Sequence, residues 1–140
     1  MEENQVYRAS VSAIIVNAKG EFLLTQLNYA TEDEWDFVKG GMNLGEEHMD
    51  TLNREIQEEL GTLVKFRVLQ RSSIALINDW TEEMQQRRGF RGQARVSYWV
   101  LYQDGEIIID TKELRTYKWV LYNKVEKIIS ANRFPNDTAK

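Results

Sequence analysis

The chain has 140 residues, no cysteine and a formal net charge of −4. That length suits one domain (1–140) with a sizeable core. The lack of cysteine excludes disulfides, thiolate–zinc sites and a nucleophilic thiol, and the net charge excludes a global basic field for long nucleic acid. No apolar run approaches a membrane span, and Met1-Glu2-Glu3-Asn4 does not read as a secretory signal, so no membrane partner and a cytoplasmic location are expected.

Residues 7–16, YRASVSAIIV, read as a strand that becomes fully buried. Asn17–Gly20 reads as a turn and Glu21–Leu27 as a second strand, so the two are expected to form a hairpin. Thr31–Asp36 is a polar loop, Gly40–Gly45 a glycine-bounded loop, and an acidic helix follows, closed by Gly61. Val64–Gln70 and Ser72–Asn78 read as strands with Arg71 at a bend between them. Asp79–Arg91 reads as a polar loop, Ala94–Gln103 as a long strand, Asp104-Gly105 as a tight turn and Glu106–Ile109 as an extended piece. Lys118–Leu121 reads as a short strand and Tyr122–Ala131 as a closing helix with Val125, Ile128 and Ile129 inward. A flexible tail is expected over 131–140, around the single proline, Pro135. Helices flanking a mixed sheet give an α/β or α+β class.

The chemistry concentrates in the acidic helix. At about 100° per residue, Glu55, Glu58 and Glu59 share one face, and Met49, Leu52, Ile56 and Leu60 share the adjoining face that meets a core. Three carboxylates on one face repel each other. Such a face is either solvated, the ordinary case for a lone run of this kind, or holds a hard cation such as Mg²⁺ or Mn²⁺, which take oxygen ligands and bind substrate phosphates. Glu46, near the helix start, also suits the helix dipole.

The stretch Gly40–Thr62, GGMNLGEEHMDTLNREIQEELGT, resembles the Nudix box G-x5-E-x7-R-E-U-x-E-E-x-G-U, where U is bulky aliphatic; eight of its nine specified positions match over 23 residues. The exception is Thr62 at the last aliphatic position, which packs rather than reacts. Three further pieces resemble the RNA 5′-pyrophosphohydrolase and asymmetric dinucleoside tetraphosphate hydrolase branch of that family: Tyr7-Arg8, Trp35-Asp36-Phe37-Val38-Lys39-Gly40-Gly41, and Gly92-Gln93-Ala94. Val38 stands where that branch has proline, and Arg95-Val96-Ser97-Tyr98-Trp99 fits only loosely. Glu113–Val120 resembles the branch's Glu-Phe-x-Gly-Trp-Arg-Trp-Val.

The resemblance implies a Nudix α/β/α sandwich and a metal-dependent pyrophosphohydrolase that cleaves a nucleoside diphosphate linked to X. It implies that Glu58 and Glu59 are the main metal ligands, that Glu55 supports them or takes part in base chemistry, and that Arg54 orients the carboxylates. Gly40 and Gly41 would supply a backbone ligand or donor, and Glu113 an extra ligand or base. Arg8, Lys39 and Gln93 are candidate substrate contacts; each is otherwise an ordinary surface residue. Trp35, Trp99, Trp119 and Tyr98 read as core, and His48 as exposed and non-catalytic. Arg87-Arg88, Arg91 and Arg95 form a basic cluster that is either solvated or guides a polyphosphate. The expected substrates are a dinucleoside polyphosphate or a 5′-triphosphorylated RNA end. The alternatives are a (d)NTP or nucleotide sugar, or a binding module without catalysis.

Overall fold

The computed structural model describes residues 6–133. In chain order the elements are β1 (Tyr7–Val16), β2 (Glu21–Leu27), β3 (Val38–Gly41), α1 (His48–Leu60), β4 (Lys65–Arg71), β5 (Leu76–Asp79), α2 (Glu82–Arg88), β6 (Gly92–Asp104), β7 (Leu114–Leu121) and α3 (Tyr122–Arg133). One mixed sheet runs β4-β6-β1-β2-β7, with β3 also paired to β1 and β5 to β6. The β1–β6 pair is parallel and aligned over the whole of β1, from Tyr7↔Gly92 to Val16↔Leu101. A strand that lies beside a parallel partner and is covered on both faces carries apolar residues at successive positions rather than alternating ones. The run Ala13-Ile14-Ile15-Val16 is that signature.

Alternation along β1 assigns the two layers. Val11, Ala13 and Ile15 join Leu23, Val38, Tyr98 and Val100 beneath Leu52, Ile56 and Leu60 of α1. Ile14 and Val16 pack with Phe22, Leu24, Val120 and Val125 of α3. The two helices therefore cover opposite faces, and the architecture is the expected α/β/α sandwich. Among the described residues no helix is long and apolar enough to cross a membrane.

Several elements differ from the sequence reading. The expected β1–β2 hairpin keeps its turn, where the Asn17 carboxamide accepts from the Lys19 and Glu21 N–H groups, but the ladder is confined to Val16↔Phe22. β2 pairs instead along β7, which is longer than expected, and β3, whose Gly40-Gly41 end reads as loop, takes the freed edge of β1. Of the expected strand Ser72–Asn78 only the end forms β5. The Asp79–Arg91 loop contains α2, capped by the Thr81 hydroxyl accepting from Met84 N–H and ended by Gly89 at φ 80°; those cap signals stand in the sequence. Glu106–Ile109 forms no strand, because the Ile108 N–H bonds the α1 end at the Leu60 carbonyl. Met49, expected inward, is 41% exposed in the first turn of α1. His48 is half-buried rather than exposed. Thr62 is exposed, and the aliphatic contact its position would supply comes from Val64. α3 continues through Arg133, and the rest of the expected tail, with Phe134 and Pro135, lies outside the described residues.

Candidate active site

The sheet register builds one wall of the site. Arg8 faces Gln93 across the β1–β6 pair, Ser10 sits between Gly41 on one side and Arg95 on the other, and Lys39 pairs with Ser12. Residues in register, or two apart on a strand, point to the same face. Arg8, Lys39, Gln93 and Arg95 therefore share one face, which the sequence scatters over nearly 90 positions. They line a cleft of about 880 Å³ together with Gly40, Gly41, Glu55, Glu59 and Glu113. Of the residues singled out from sequence, Arg54, Glu46 and Glu58 lie beside this cleft rather than in its lining.

The carboxylate wall comes from α1. The helix starts with a capping box, in which the side chains of Glu47 and Asp50 take each other's backbone N–H groups. It ends at Gly61, whose φ of 93° favours glycine. Between these ends the apolar row Leu52, Ile56, Leu60 is fully buried and fixes the helix rotation. That rotation grades the three glutamates. Glu59 is buried at 5% exposure, the Glu55 side chain is 12% exposed, and the Glu58 side chain is 46% exposed on the outer shoulder.

Burial pushes the Glu59 carboxyl up to about 9, and the neighbouring Glu55 and Glu113 charges push the same way. The Glu55 carboxyl is also raised by burial, against the opposing pull of Arg54. Two buried, adjacent carboxyls that resist ionisation lack countercharge. Arg54 supplies part of it. Its Nε and Nη2 donate to both Glu46 oxygens, at 2.8 and 2.9 Å, its Nη1 to Glu55 at 2.8 Å and to Glu58 at 3.4 Å, and Nη2 also reaches the Gly41 carbonyl at 2.9 Å. Glu46 is held down to about 2, chiefly by that guanidinium and then by the Asn43 N–H. Its Oε1 also accepts from the Thr51 hydroxyl. Arg54 thus ties the loop before α1, the glutamate row and β3 into one unit.

The paired glycines have a steric reason. A Cβ at Gly40 would stand 2.0 Å from the Glu55 carboxyl carbon, and one at Gly41 would stand 2.3 Å from the Arg8 guanidinium carbon. Each glycine leaves the space that a charged side chain fills. Gly40→Ala is expected to displace Glu55 and cut turnover by about 10²-fold, as misplacement of a reacting group by about 1 Å does. Steady-state rates beside a thermal melt check this; wild-type turnover in a folded variant would refute it.

Among the described residues no three His, Asp or Glu side chains converge on a single ligand position. The donor set still fits Mg²⁺ or Mn²⁺. Both are oxygen-binding cations, Mg²⁺ commonly takes only one or two carboxylates and completes its shell with water and substrate phosphate, and the buried Glu55–Glu59 pair has charge to be neutralised.

Lys39 is paired to Asp36 at 2.7 Å. Arg8 reaches the Met42 carbonyl at 3.5 Å. Glu113 enters the cleft through a backbone tie, its carbonyl accepting from Asn28 N–H at 2.9 Å. Trp35, read as core, packs against the α3-side cluster and lines the cleft as well. The Lys118 ammonium stands 4.1 Å over its ring. Arg88 of the basic cluster lines the cleft, and the sequence reading missed the wall formed beside it by Leu76, Ile77, Trp80 and Met84, because it read no helix between β5 and β6. Arg91 of the basic cluster turns away to Asp79 at 3.2 Å.

A Nudix domain model matches residues 6–138. An RNA pyrophosphohydrolase of Nitratiruptor is 30% identical over 128 residues, which cover 86% of this chain and 81% of that protein. An RNA pyrophosphohydrolase of Ruthia magnifica is 38% identical over 61 residues, 44% of this chain, and the match spans only 33% of that protein's length. Among solved structures, a C. elegans Ap4A hydrolase superposes with a TM-score of 0.65 at 19% identity, covering 88% of this chain and 86% of that one; at that identity the likeness speaks for the fold. Joined to the geometry above, the family match and the RNA pyrophosphohydrolase relatives place this chain in the Nudix family, as a Nudix hydrolase.

Proposed function

We propose that the chain hydrolyses a phosphoanhydride bond in a dinucleoside polyphosphate or at the 5′-triphosphate end of an RNA, using Mg²⁺ or Mn²⁺. The observation that carries this reading is a single cleft with carboxylates (Glu55, Glu59, Glu113) and cations (Arg8, Lys39, Arg95) on its walls. A polyphosphate needs both: cations to bind its oxygens, and carboxylates to hold the divalent ion and take a proton. The RNA pyrophosphohydrolase names of the relatives support the RNA end over a nucleotide sugar.

Glu59 and Glu55, with Glu58 at the shoulder and the Gly40 carbonyl, would hold the metal, and Glu113, which lines the same cleft, would join them. When bound, the metal neutralises phosphate charge and lowers the pKa of a coordinated water. The chain's own residues do the rest. Arg8 and Lys39 bind and orient the phosphate oxygens, with guanidinium geometry suited to two of them. Gly41 keeps the backbone low enough for that approach, and Gln93 offers an amide donor beside Arg8. A carboxylate of the cleft takes the proton of the attacking water. Arg54 is a positioning residue that holds Glu55 and Glu58. Direct attack by water needs no covalent intermediate.

The test is incubation with Mg²⁺ and diadenosine tetraphosphate, 5′-triphosphorylated RNA, the common dNTPs and ADP-ribose, with Glu58→Gln as control and products separated by chromatography. Tetraphosphate yielding ATP and AMP, or RNA yielding a monophosphate end, and either activity lost in the variant, is the expected result. Preference for a mononucleotide would replace the substrate class. No turnover with Mg²⁺ or Mn²⁺ would leave a binding module.

A further inference from the structure

Beyond the phosphate-facing centre, the cleft has an apolar end built by consecutive segments of the chain. β5 contributes Leu76 and Ile77, and the cap and body of α2 contribute Trp80, Met84 and Arg88. Leu76 and Ile77 are exposed at 48% and 64%, yet they belong to the cleft. The Arg88 guanidinium lies 4.5 Å from the Trp80 ring centroid, so the indole is oriented by a cation rather than packed into a core. Its backbone is clamped on both sides: Trp80 N–H donates to the Arg91 carbonyl at 2.9 Å, and the Gln85 side chain donates to the Trp80 and Arg91 carbonyls at 2.9 and 3.0 Å. The preceding residue, Asp79, is held by Tyr7 at 2.5 Å and by Arg91 at 3.2 Å.

The register measures how far this end lies from the centre. Gly41, Ser10, Arg95 and Leu76 stand side by side on β3, β1, β6 and β5. Three strand spacings of about 4.8 Å put Leu76 about 14 Å from Gly41. Arg95 lies between them, and Arg8 sits beside Gly41. An apolar aromatic platform, a cationic middle and a carboxylate centre in a row match a flat ring joined to a phosphate chain.

We propose that Trp80 is the platform on which a nucleobase of the substrate stacks, with Met84 and Leu76 bordering it and Arg88 holding the indole in place. This rests on the polyphosphate reading for the centre and names the residue that selects a nucleotide over a bare polyphosphate. Stacking on an indole tolerates any base, so the platform favours nucleotides as a class and not adenine over guanine.

The test measures binding of two probes, AMP and inorganic tripolyphosphate, by calorimetry without divalent metal. The proteins are wild type, Trp80→Ala, Trp80→Leu, which keeps apolar bulk if the alanine variant does not fold, and Trp80→Phe. Loss of the aromatic face in the Ala and Leu variants is expected to raise the AMP Kd about tenfold or more, with recovery to within about threefold in Trp80→Phe and a change under about twofold for tripolyphosphate. In turnover of diadenosine tetraphosphate or 5′-triphosphorylated RNA the same variants raise KM and leave kcat nearly unchanged. Unchanged AMP binding in the variants, equal loss of both probes, or no AMP binding by wild type would overturn the platform. AMP binding through Trp80 without turnover of any substrate would reject the proposed hydrolysis and leave the platform standing; turnover insensitive to Trp80 does the reverse.

Discussion

Glu59→Gln is expected to abolish metal-dependent turnover while making the metal-free protein more stable. The activity loss should be about 10³-fold, since removing a proposed metal ligand forfeits several kcal/mol of charge stabilisation. The stability gain follows from burial. The folded, metal-free chain holds the Glu59 proton up to about pH 9, whereas an unfolded chain releases it near the ordinary value of 4.5. Between those values the native state binds more protons than the unfolded state, so stability falls as pH rises through the window. Glutamine removes the titration. Metal-free wild type should therefore melt lower at pH 8 than at pH 5, and the variant should not share that slope; a gain of about 1 kcal/mol raises the midpoint by about 4 °C in a chain of this size. Mg²⁺ should raise the wild-type midpoint by mass action and leave the variant unmoved. Calorimetric melts at the two pH values, with and without Mg²⁺, decide it. A variant less stable than wild type at pH 8 without metal would refute the burial argument.

Arg54→Ala should cost both properties. The substitution frees Glu46, Glu55 and Glu58 from their shared cation and leaves the Gly41 carbonyl without that donor. Glu55 is the group that suffers, because it is buried next to Glu59 and loses the charge that opposes its desolvation. Turnover should fall by about 10²-fold, the scale of losing an orienting partner behind a metal ligand, and the melting temperature should drop. Arg54→Lys tests geometry against charge. A lysine can meet one carboxylate, but it cannot reproduce the fork that grips Glu46 through two nitrogens and still reaches Glu55. It should recover stability better than rate. Equal recovery of both would mean that only the charge matters.

How far the residues could be read without the structure differs from one part of the site to another. The helix row was legible because helix geometry is local: Glu55, Glu58 and Glu59, the buried Leu52, Ile56 and Leu60, and the Gly61 stop all follow from a fixed rotation per residue. What the spacing hid was the gradient of burial, from exposed Glu58 to buried Glu59, which depends on how deeply the helix seats on β1. Glycine counts were legible, but their purpose was not. That Gly40 makes room for Glu55 and Gly41 for Arg8 requires a strand and a helix to be placed against each other. α2 carried readable caps in Thr81 and Gly89, but its polar composition reads as loop, and one turn-length signal of that kind does not outweigh composition.

The sequence by itself determined the chemistry and the class. Fixed spacing of glycine, arginine and glutamates needs no partner to be recognised, and strands alternating with two amphipathic helices leave few ways to bury both apolar faces. The tertiary structure alone decided which distant residues share the cleft. Arg8 meets Gln93 because β1 and β6 pair in parallel at one register, and slipping that register by one residue would turn every side chain to the opposite face. Such a pairing is chosen by burial summed over the whole sheet, so no local stretch records it. The same holds for Trp80, which reaches the cleft only because β5 adds to β6 beside Arg95.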